Sequence, residues 1–365
     1  MTTIPIYEPS LEGNERKYLI DCIDTVWISS QGKYILDFEK LLASYHGMGF
    51  GIATSNCTTA LHLAIKALGL GEGDEILCPD LTFIAPANMI LLSGASLKLV
   101  DIDADTLAMN PELIEKSITT KTKAIIVVHQ FGHAAPMDEI MDIAKRHNLK
   151  VIEDNAECIG GKYKGKLLGT FGDISCFSFF GNKIITSGEG GALLTNDPLL
   201  ATTCKELRDH GMSSNEKYLH VALGYNYRMT NMQAAIGLAQ LERVDDILAL
   251  RKTQMDTYYD LLKTVQGIKL RPFAEWCSPV HWLTTITLDK KYDRKEVIKA
   301  MKEKGVECRP MINPVHHALY LKDNYSDDQF PVAVDIAARS IHLPSSNKIS
   351  KTEIEYIVKS LQEVL

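Results

Sequence analysis

The sequence predicts an α/β protein: a large domain with a mostly parallel sheet flanked by helices, followed by a smaller C-terminal α+β domain. Short apolar runs alternate with helical patterns from Gly51 to Asp154, the signature of a parallel sheet covered on both faces. A long helical stretch from Leu241 to Lys263 then separates this part from a second set of strands and helices, dividing the chain at about 1–245 and 246–365. The 365 residues, 45% hydrophobic and 23% charged, are enough for two packed cores.

In order, Asn14 to Thr25 has helical spacing with Leu19, Ile20 and Ile23 on one side, and Trp27 to Gly32 reads as a loop. A helix over Ile35–His46 precedes a strand, Gly51–Thr54. Small polar residues, Ser55 to Thr59, then open a helix over Ala60–Leu68. Such a strand-to-helix turn presents free N–H groups to an anion, although Ser, Thr and Asn cap most helices. A turn at Gly71–Glu75 leads to a strand, Glu75–Pro79, and then to Asp80-Leu-Thr-Phe83. Strands at Leu97–Ile102, Ala124–His129 and Lys150–Asp154 alternate with helices at Asn110–Ser117 and Met137–His147. An apolar strand, Ile174–Phe180, enters a Gly-rich turn and is followed by a strand at Ala192–Thr195. Beyond it lie a helix at Leu199–His210 and a polar loop over Gly211–Val221. The C-terminal part reads as strand Trp282–Asp289, helix Arg294–Lys304, strand Val306–Arg309 and a Pro-interrupted loop to Tyr320.

Several function classes are excluded. The net charge is −7 with no basic cluster, which argues against a nucleic-acid partner. No run of about 18 apolar residues marks a membrane span, and the N-terminus does not read as a signal peptide. None of the eight cysteines forms a C-x-x-C pair, so neither zinc nor a disulfide framework is expected; buried, reduced thiols fit a cytoplasmic protein. His316 and His317 are adjacent, but no acid stands at a ligand spacing, so no metal is expected. No Gly-x-Gly-x-x-Gly follows a strand, against a Rossmann dehydrogenase.

Two residues carry the chemistry. Asp154 ends a strand, where open α/β sheets bind ligands. Lys183, flanked by Asn182 and Ile184, lies in the Gly-rich stretch between two apolar strands. Burial of an amine favours its neutral, nucleophilic form. A lysine for a Schiff base and a carboxylate for a pyridinium nitrogen are what pyridoxal phosphate (PLP) requires. His129, at a strand end, reads equally as a core histidine or an active-site wall.

The runs Val151-Ile-Glu-Asp-Asn-Ala-Glu157, Gly172-Asp-Ile174, Ser178-Phe-Phe-Gly-Asn-Lys183 and Gly188-Glu-Gly-Gly191 resemble the sugar aminotransferases of the DegT/DnrJ/EryC1/StrS family. The similarity runs from Ile4 to Ser345 and is densest against GDP-perosamine synthases. It implies the aspartate-aminotransferase fold, type I, and PLP held by Lys183. It also implies L-glutamate as amino donor, a keto- or aldehyde-sugar as acceptor, and a homodimer with shared active sites. By this resemblance Asp154 pairs with the ring nitrogen, Glu157 meets the ring hydroxyl, Phe83 stacks on the ring, and Asn182 flanks the lysine. Thr58, Ser178 and the backbone at Cys57, where relatives usually have Gly, hold the phosphate, with Asn226 reaching in from the second subunit. Trp27, Ser29, Lys33, His129, Arg309, Asn313 and His316 are candidate substrate residues. Met311, Ile312 and Asn313 stand where perosamine synthases tend to carry aromatics. The leading acceptor is a nucleotide-linked 4-keto-6-deoxyhexose for surface-polysaccharide or lipopolysaccharide synthesis; an oxidised 3-deoxy-octulosonate is the alternative. A dehydratase of the same fold would carry His in place of Lys183. A regulatory protein that binds PLP without turnover is the remaining alternative.

Overall fold

Apolar five-residue strands are buried on both faces here, because helices cover each side of the sheet they form. The computed structural model describes residues 3–365. From the N-terminus the elements are α1 (Glu15–Asp24), α2 (Lys33–His46), β1 (Phe50–Thr54), α3 (Cys57–Ala67), β2 (Glu75–Pro79), α4 (Ala85–Leu92) and β3 (Ser96–Val100). Then come α5 (Pro111–Ser117), β4 (Thr122–Val128), α6 (Met137–Arg146) and β5 (Lys150–Asp154). A short hairpin, β6 (Lys162–Tyr163) and β7 (Lys166–Leu167), precedes β8 (Ile174–Ser178), β9 (Gly191–Thr195) and α7 (Pro198–Arg208). The chain continues through α8 (Asn231–Leu241), α9 (Val244–Leu262), β10 (Ile268–Leu270), β11 (Cys277–Ser278), β12 (Thr284–Leu288) and α10 (Arg294–Glu303). It ends with β13 (Arg309–Pro310), α11 (Pro331–Arg339), β14 (Ser340–Leu343) and α12 (Lys351–Val364).

The larger sheet has the order β1-β9-β8-β5-β4-β2-β3. All its pairings are parallel except those of β9, which runs antiparallel to both β1 and β8. Ile52, Ile76, Ile125, Ile126, Ile152 and Leu193 are fully or almost fully buried within it. Each such side chain contributes about 1.5–3 kcal/mol on burial, more than the intrinsic strand preference of any one residue. The smaller sheet, β10-β12-β14-β13, is antiparallel and packs with α9, α10 and α12 around a second core that includes Tyr258, Ile286, Met301 and Ile357. Met311, Val315, Phe330 and Ala333 join the larger core instead, so the loop after β13 is drawn against the main sheet.

Some expectations are corrected. The helix predicted over 241–263 is α9, Val244–Leu262; a separate helix not anticipated from the sequence, α8, precedes it, and the chain breaks between them at Glu242 and Arg243. No Gly or Pro marks this break; Glu242 turns instead to accept from Asn14 Nδ2 at 2.8 Å and Tyr18 Oη at 2.7 Å on α1. α8 opens with a capping box formed by Thr230 and Gln233. The strand predicted to Phe180 stops at Ser178, and Lys183 lies beyond it in the turn before β9, within the Gly-rich stretch. Among the described residues no helix is long and apolar enough to cross a membrane. All eight cysteines are free thiols, and all but Cys277 are buried.

Candidate active site

Residues from α3, α4, β4, β5, β8 and the smaller sheet converge on a cavity of about 580 Å³. A larger, open depression of about 760 Å³ lies against α1 and α2. The smaller cavity is the site, because the buried titratable groups converge there. Of the residues singled out from the sequence, Cys57, Thr58, Phe83, Asp154, Glu157, Ser178, Asn182, Lys183 and Arg309 line it.

Lys183 follows a turn closed by its own N–H to Phe180 O at 2.9 Å, and its carbonyl accepts from Tyr7 Oη at 2.5 Å. The side chain is 14% exposed. Its Nζ lies 3.6 Å from Glu157 Oε1 and 3.8 Å from the centre of the Trp282 ring. Trp282 is fixed in turn by donating Nε1–H to Asn182 O at 2.7 Å and by stacking on Phe131. The amine is thus held between a carboxylate and an aromatic face, both attractive to a cation.

Asp154 ends β5 in the middle of the sheet. Its Oδ1 accepts from Ala156 N at 2.9 Å, and its other oxygen has no hydrogen bond among the described residues. Burial pushes this carboxyl above the usual range, against the opposing effects of the Ala156 N–H, Lys183 and His129. Glu157, which accepts from Phe131 N at 2.8 Å, is pushed the same way by burial, opposed first by Lys183. Both groups hold protons more tightly in the native state than in the unfolded chain. Their contribution to stability is therefore greatest below the usual carboxylate range and is lost as pH rises through the raised values. In the cofactor-free protein, Asp154→Asn is expected to weaken the fall in Tm between acidic and neutral pH. An equal fall in parent and variant would contradict this cause.

The third component is the start of α3. Asn56 caps it, accepting from Thr59 N at 2.9 Å, and Thr59 returns its hydroxyl to the Asn56 backbone. The N–H groups of Cys57 and Thr58 have no intrahelical acceptor and belong to residues that line the cavity. Gly191 lets β9 press against this turn: a Cβ there would lie 2.3 Å from Asn56 C and 2.5 Å from Cys57 N.

Residues 9–362 match the DegT/DnrJ/EryC1/StrS aminotransferase family. The chain belongs to this family. It is 43% identical to the GDP-perosamine synthase of Escherichia coli O157:H7 over 100% of this chain and 99% of that protein. It is also 43% identical to the GDP-perosamine synthase of Caulobacter vibrioides, over 99% and 98%. Among solved structures, the PMP form of Spr1654 from Streptococcus pneumoniae superposes with a TM-score of 0.94 at 26% identity, covering 99% of this chain and 97% of that one. The family is PLP-dependent, and this aminotransferase has the residues to fit that cofactor. Asp154 has a free buried oxygen, Lys183 a confined amine, α3 an open N-terminus, and Asn182 Oδ1 is buried without a partner.

The remaining residues singled out from the sequence lie outside the cavity of this chain. His129 is fully buried behind it, bonding Glu153 through Nε2 at 3.2 Å and accepting Ala135 N–H at Nδ1; it is a core histidine, not a wall. Burial alone would raise Glu153, but His129 and the N–H groups of Gly172 and Gly169 outweigh it and leave Glu153 below the usual range. Lys33 pairs with Asp21 at 2.8 Å, Trp27 is 54% exposed, and Ser29 O accepts from Asn231 N. Asn226 accepts from Arg228 Nε at 3.0 Å, and Asn313 is exposed. His316 is buried on Asp80. Its neighbour His317 meets Asp327 at 2.8 Å, so an acid partner does exist, brought by folding rather than by spacing. The sequence reading passed over Trp282, Phe131, Glu189 and His342, which all line the cavity. Only Glu189, inside the Gly-Glu-Gly-Gly run, carried a local signal.

Proposed function

We propose that this aminotransferase moves an amino group from L-glutamate to a nucleotide-linked 4-keto-6-deoxyhexose, as a cytoplasmic step toward surface polysaccharide. The observation that carries the reading is the convergence of Lys183, Asp154 and the start of α3 on one cavity. The identity of 43% to two GDP-perosamine synthases supports the choice of sugar. PLP, when bound, supplies the electron sink through which an amino group passes from one substrate to the next. Lys183 would hold it covalently, Asp154 would face its ring nitrogen, Thr58, Ser178 and the N–H of Cys57 its phosphate, and Phe83 its ring. Once free, the Lys183 amine would take the proton from the donor's α-carbon in the first half of the reaction and, in the second, supply one to the sugar carbon that receives the amino group. Glu157, 3.6 Å away, limits where that amine can go. Burial disfavours the Asp154 charge, and the Ala156 N–H, Lys183 and His129 oppose that effect; a protonated ring nitrogen facing it would oppose it further.

Arg309 is the exposed cation of the cavity wall and suits the carboxylate of the donor or the diphosphate of the acceptor. Arg309→Ala is expected to raise KM for one of these substrates by about 10–100-fold, with a smaller change in kcat, since a hydrogen bond to a charged group is worth about 1.5–3 kcal/mol. Unchanged KM values for both would remove Arg309 from the site.

A homodimer with shared sites belongs to the same reading. Val26, Trp27, Ile28, Leu219, Val221 and Leu223 are exposed apolar residues near Ser29, Lys33 and Asn226 in sequence, an arrangement that suits a partner's surface. Mixing a Lys183→Ala chain with an Asn226→Ala chain is expected to restore activity beyond either alone; no recovery in a verified mixed dimer would contradict the sharing.

Ile312, in the cavity wall where perosamine synthases tend to carry an aromatic, favours a second reading, an oxidised 3-deoxy-octulosonate as acceptor. The experiment is a two-stage assay. L-Glutamate should first convert the cofactor, read as loss of its long-wavelength absorbance. The aminated enzyme is then offered keto-sugars with and without nucleotide. Turnover only with the nucleotide-linked hexose supports the first reading, turnover only with the free sugar acid supports the second, and no reaction with glutamate contradicts both.

A further inference from the structure

The loop after β13 carries a cluster that transamination does not use. His316 Nε2 lies 3.0 Å and His317 Nε2 2.8 Å from the same oxygen, Asp327 Oδ1, and the three ligand atoms fall within 4.8 Å of one another. Ligand atoms about 2.0–2.2 Å from a tetrahedral zinc ion stand about 3.3–3.6 Å apart, so a widening of roughly half an ångström at each aspartate contact would admit one ion. Behind them, the fully buried Asp80 accepts from His316 N at 3.0 Å and meets His316 Nδ1 at 2.7 Å. A carboxylate on the far nitrogen of a ligating histidine fixes its tautomer and its orientation, leaving Nε2 for the ion. Phe330 packs against the His316 ring, with centroids 4.8 Å apart, and prevents it from turning away. His317 and Asp327 are 40% and 64% exposed, so an ion has a path in.

We propose that His316 Nε2, His317 Nε2 and Asp327 bind one divalent transition-metal ion of the zinc class, with Asp80 as the positioning residue. Two nitrogens and one carboxylate leave a fourth position for water, the donor set that such ions accept and that Mg²⁺ and Ca²⁺ do not favour. The ion would fasten Asp327 to His316 and His317, closing a loop that His316 already ties to Asp80, just past the end of β2. Both anchor points adjoin the cavity wall: Thr82 and Phe83 follow Asp80, and Ile312 precedes His316. Binding therefore stiffens the wall that meets the acceptor while contributing no group to the chemistry. It does not depend on which sugar is used.

The test is titration calorimetry of the full, cofactor-loaded chain, stripped of metal with a chelator and dialysed, using zinc chloride alone as the probe. Seven of the eight thiols are buried, and the eighth, Cys277, accepts from Ala134 N at 3.3 Å. One equivalent is expected to bind, with His317→Ala and Asp327→Asn each weakening affinity by at least about tenfold, the lower end of what changes around metal sites cost. His147→Ala serves as control, because His147 and Glu115 form another exposed histidine–carboxylate pair at 3.1 Å. The two substitutions are at exposed positions, and Tm without zinc verifies that each variant folds. Zinc should also raise Tm in the parent but not in His317→Ala. No saturable binding, or equal affinity in the parent and His317→Ala, or loss in the control instead, would overturn the proposal.

Discussion

Lys183→Ala is expected to lower kcat by about 10²–10⁴-fold or more, because in the proposed function one side chain would carry both the covalent attachment and the proton transfer. The reason lies in its confinement. Nζ has Glu157 on one side and the Trp282 face on the other, and the backbone carbonyl of Lys183 is pinned by Tyr7. No other lysine lines the cavity, so nothing at hand can replace it. The long-wavelength band of the bound cofactor should vanish as well, while circular dichroism stays that of the parent. Loss of the Lys183 charge removes the largest effect opposing burial at Glu157, which favours its neutral form and eases the substitution for the fold. A Lys183→Ala enzyme with near-parental turnover would contradict the assignment.

The second large effect is at Asp154. Asn has the same size and can keep the bond from Ala156 N, so the local fold should survive. What would be lost is the negative charge proposed to face a protonated ring nitrogen. Removing one preorganised electrostatic contact of this kind typically costs about 10²–10³-fold in kcat. Asp154→Asn is therefore expected to bind PLP but to transfer the amino group slowly, measured as the single-turnover rate with L-glutamate. A rate within a few-fold of the parent would show that the charge does not act on the ring. The same variant in the cofactor-free state should be less sensitive to rising pH, so one substitution separates the catalytic use of the charge from its cost in stability.

Much of this was legible before the structure. The alternating apolar runs gave the sheet because strands buried on both faces have no polar alternation to obscure them. Asp154 and Lys183 stood out because charged residues beside such runs need a reason. The break between α8 and α9 was not legible, since the cause is a contact of Glu242 with a helix more than two hundred positions earlier. Trp282 read only as the start of a strand; its place beside Lys183 depends on a bond to Asn182 made across the molecule. His129 was undecided because the sequence cannot say which face a strand-end side chain takes, and Glu153 decides it. The Asp327 partner of His316 and His317 was missed because its ten-residue offset from His317 reads as no motif until Phe330 and Asp80 fold the loop back.

The most direct test is to reduce the PLP-loaded enzyme with borohydride, digest it, and locate the pyridoxyl group by mass spectrometry. The expected result is a single modified site at Lys183. A modified lysine elsewhere, or none at all in enzyme that still turns over, would contradict the central claim.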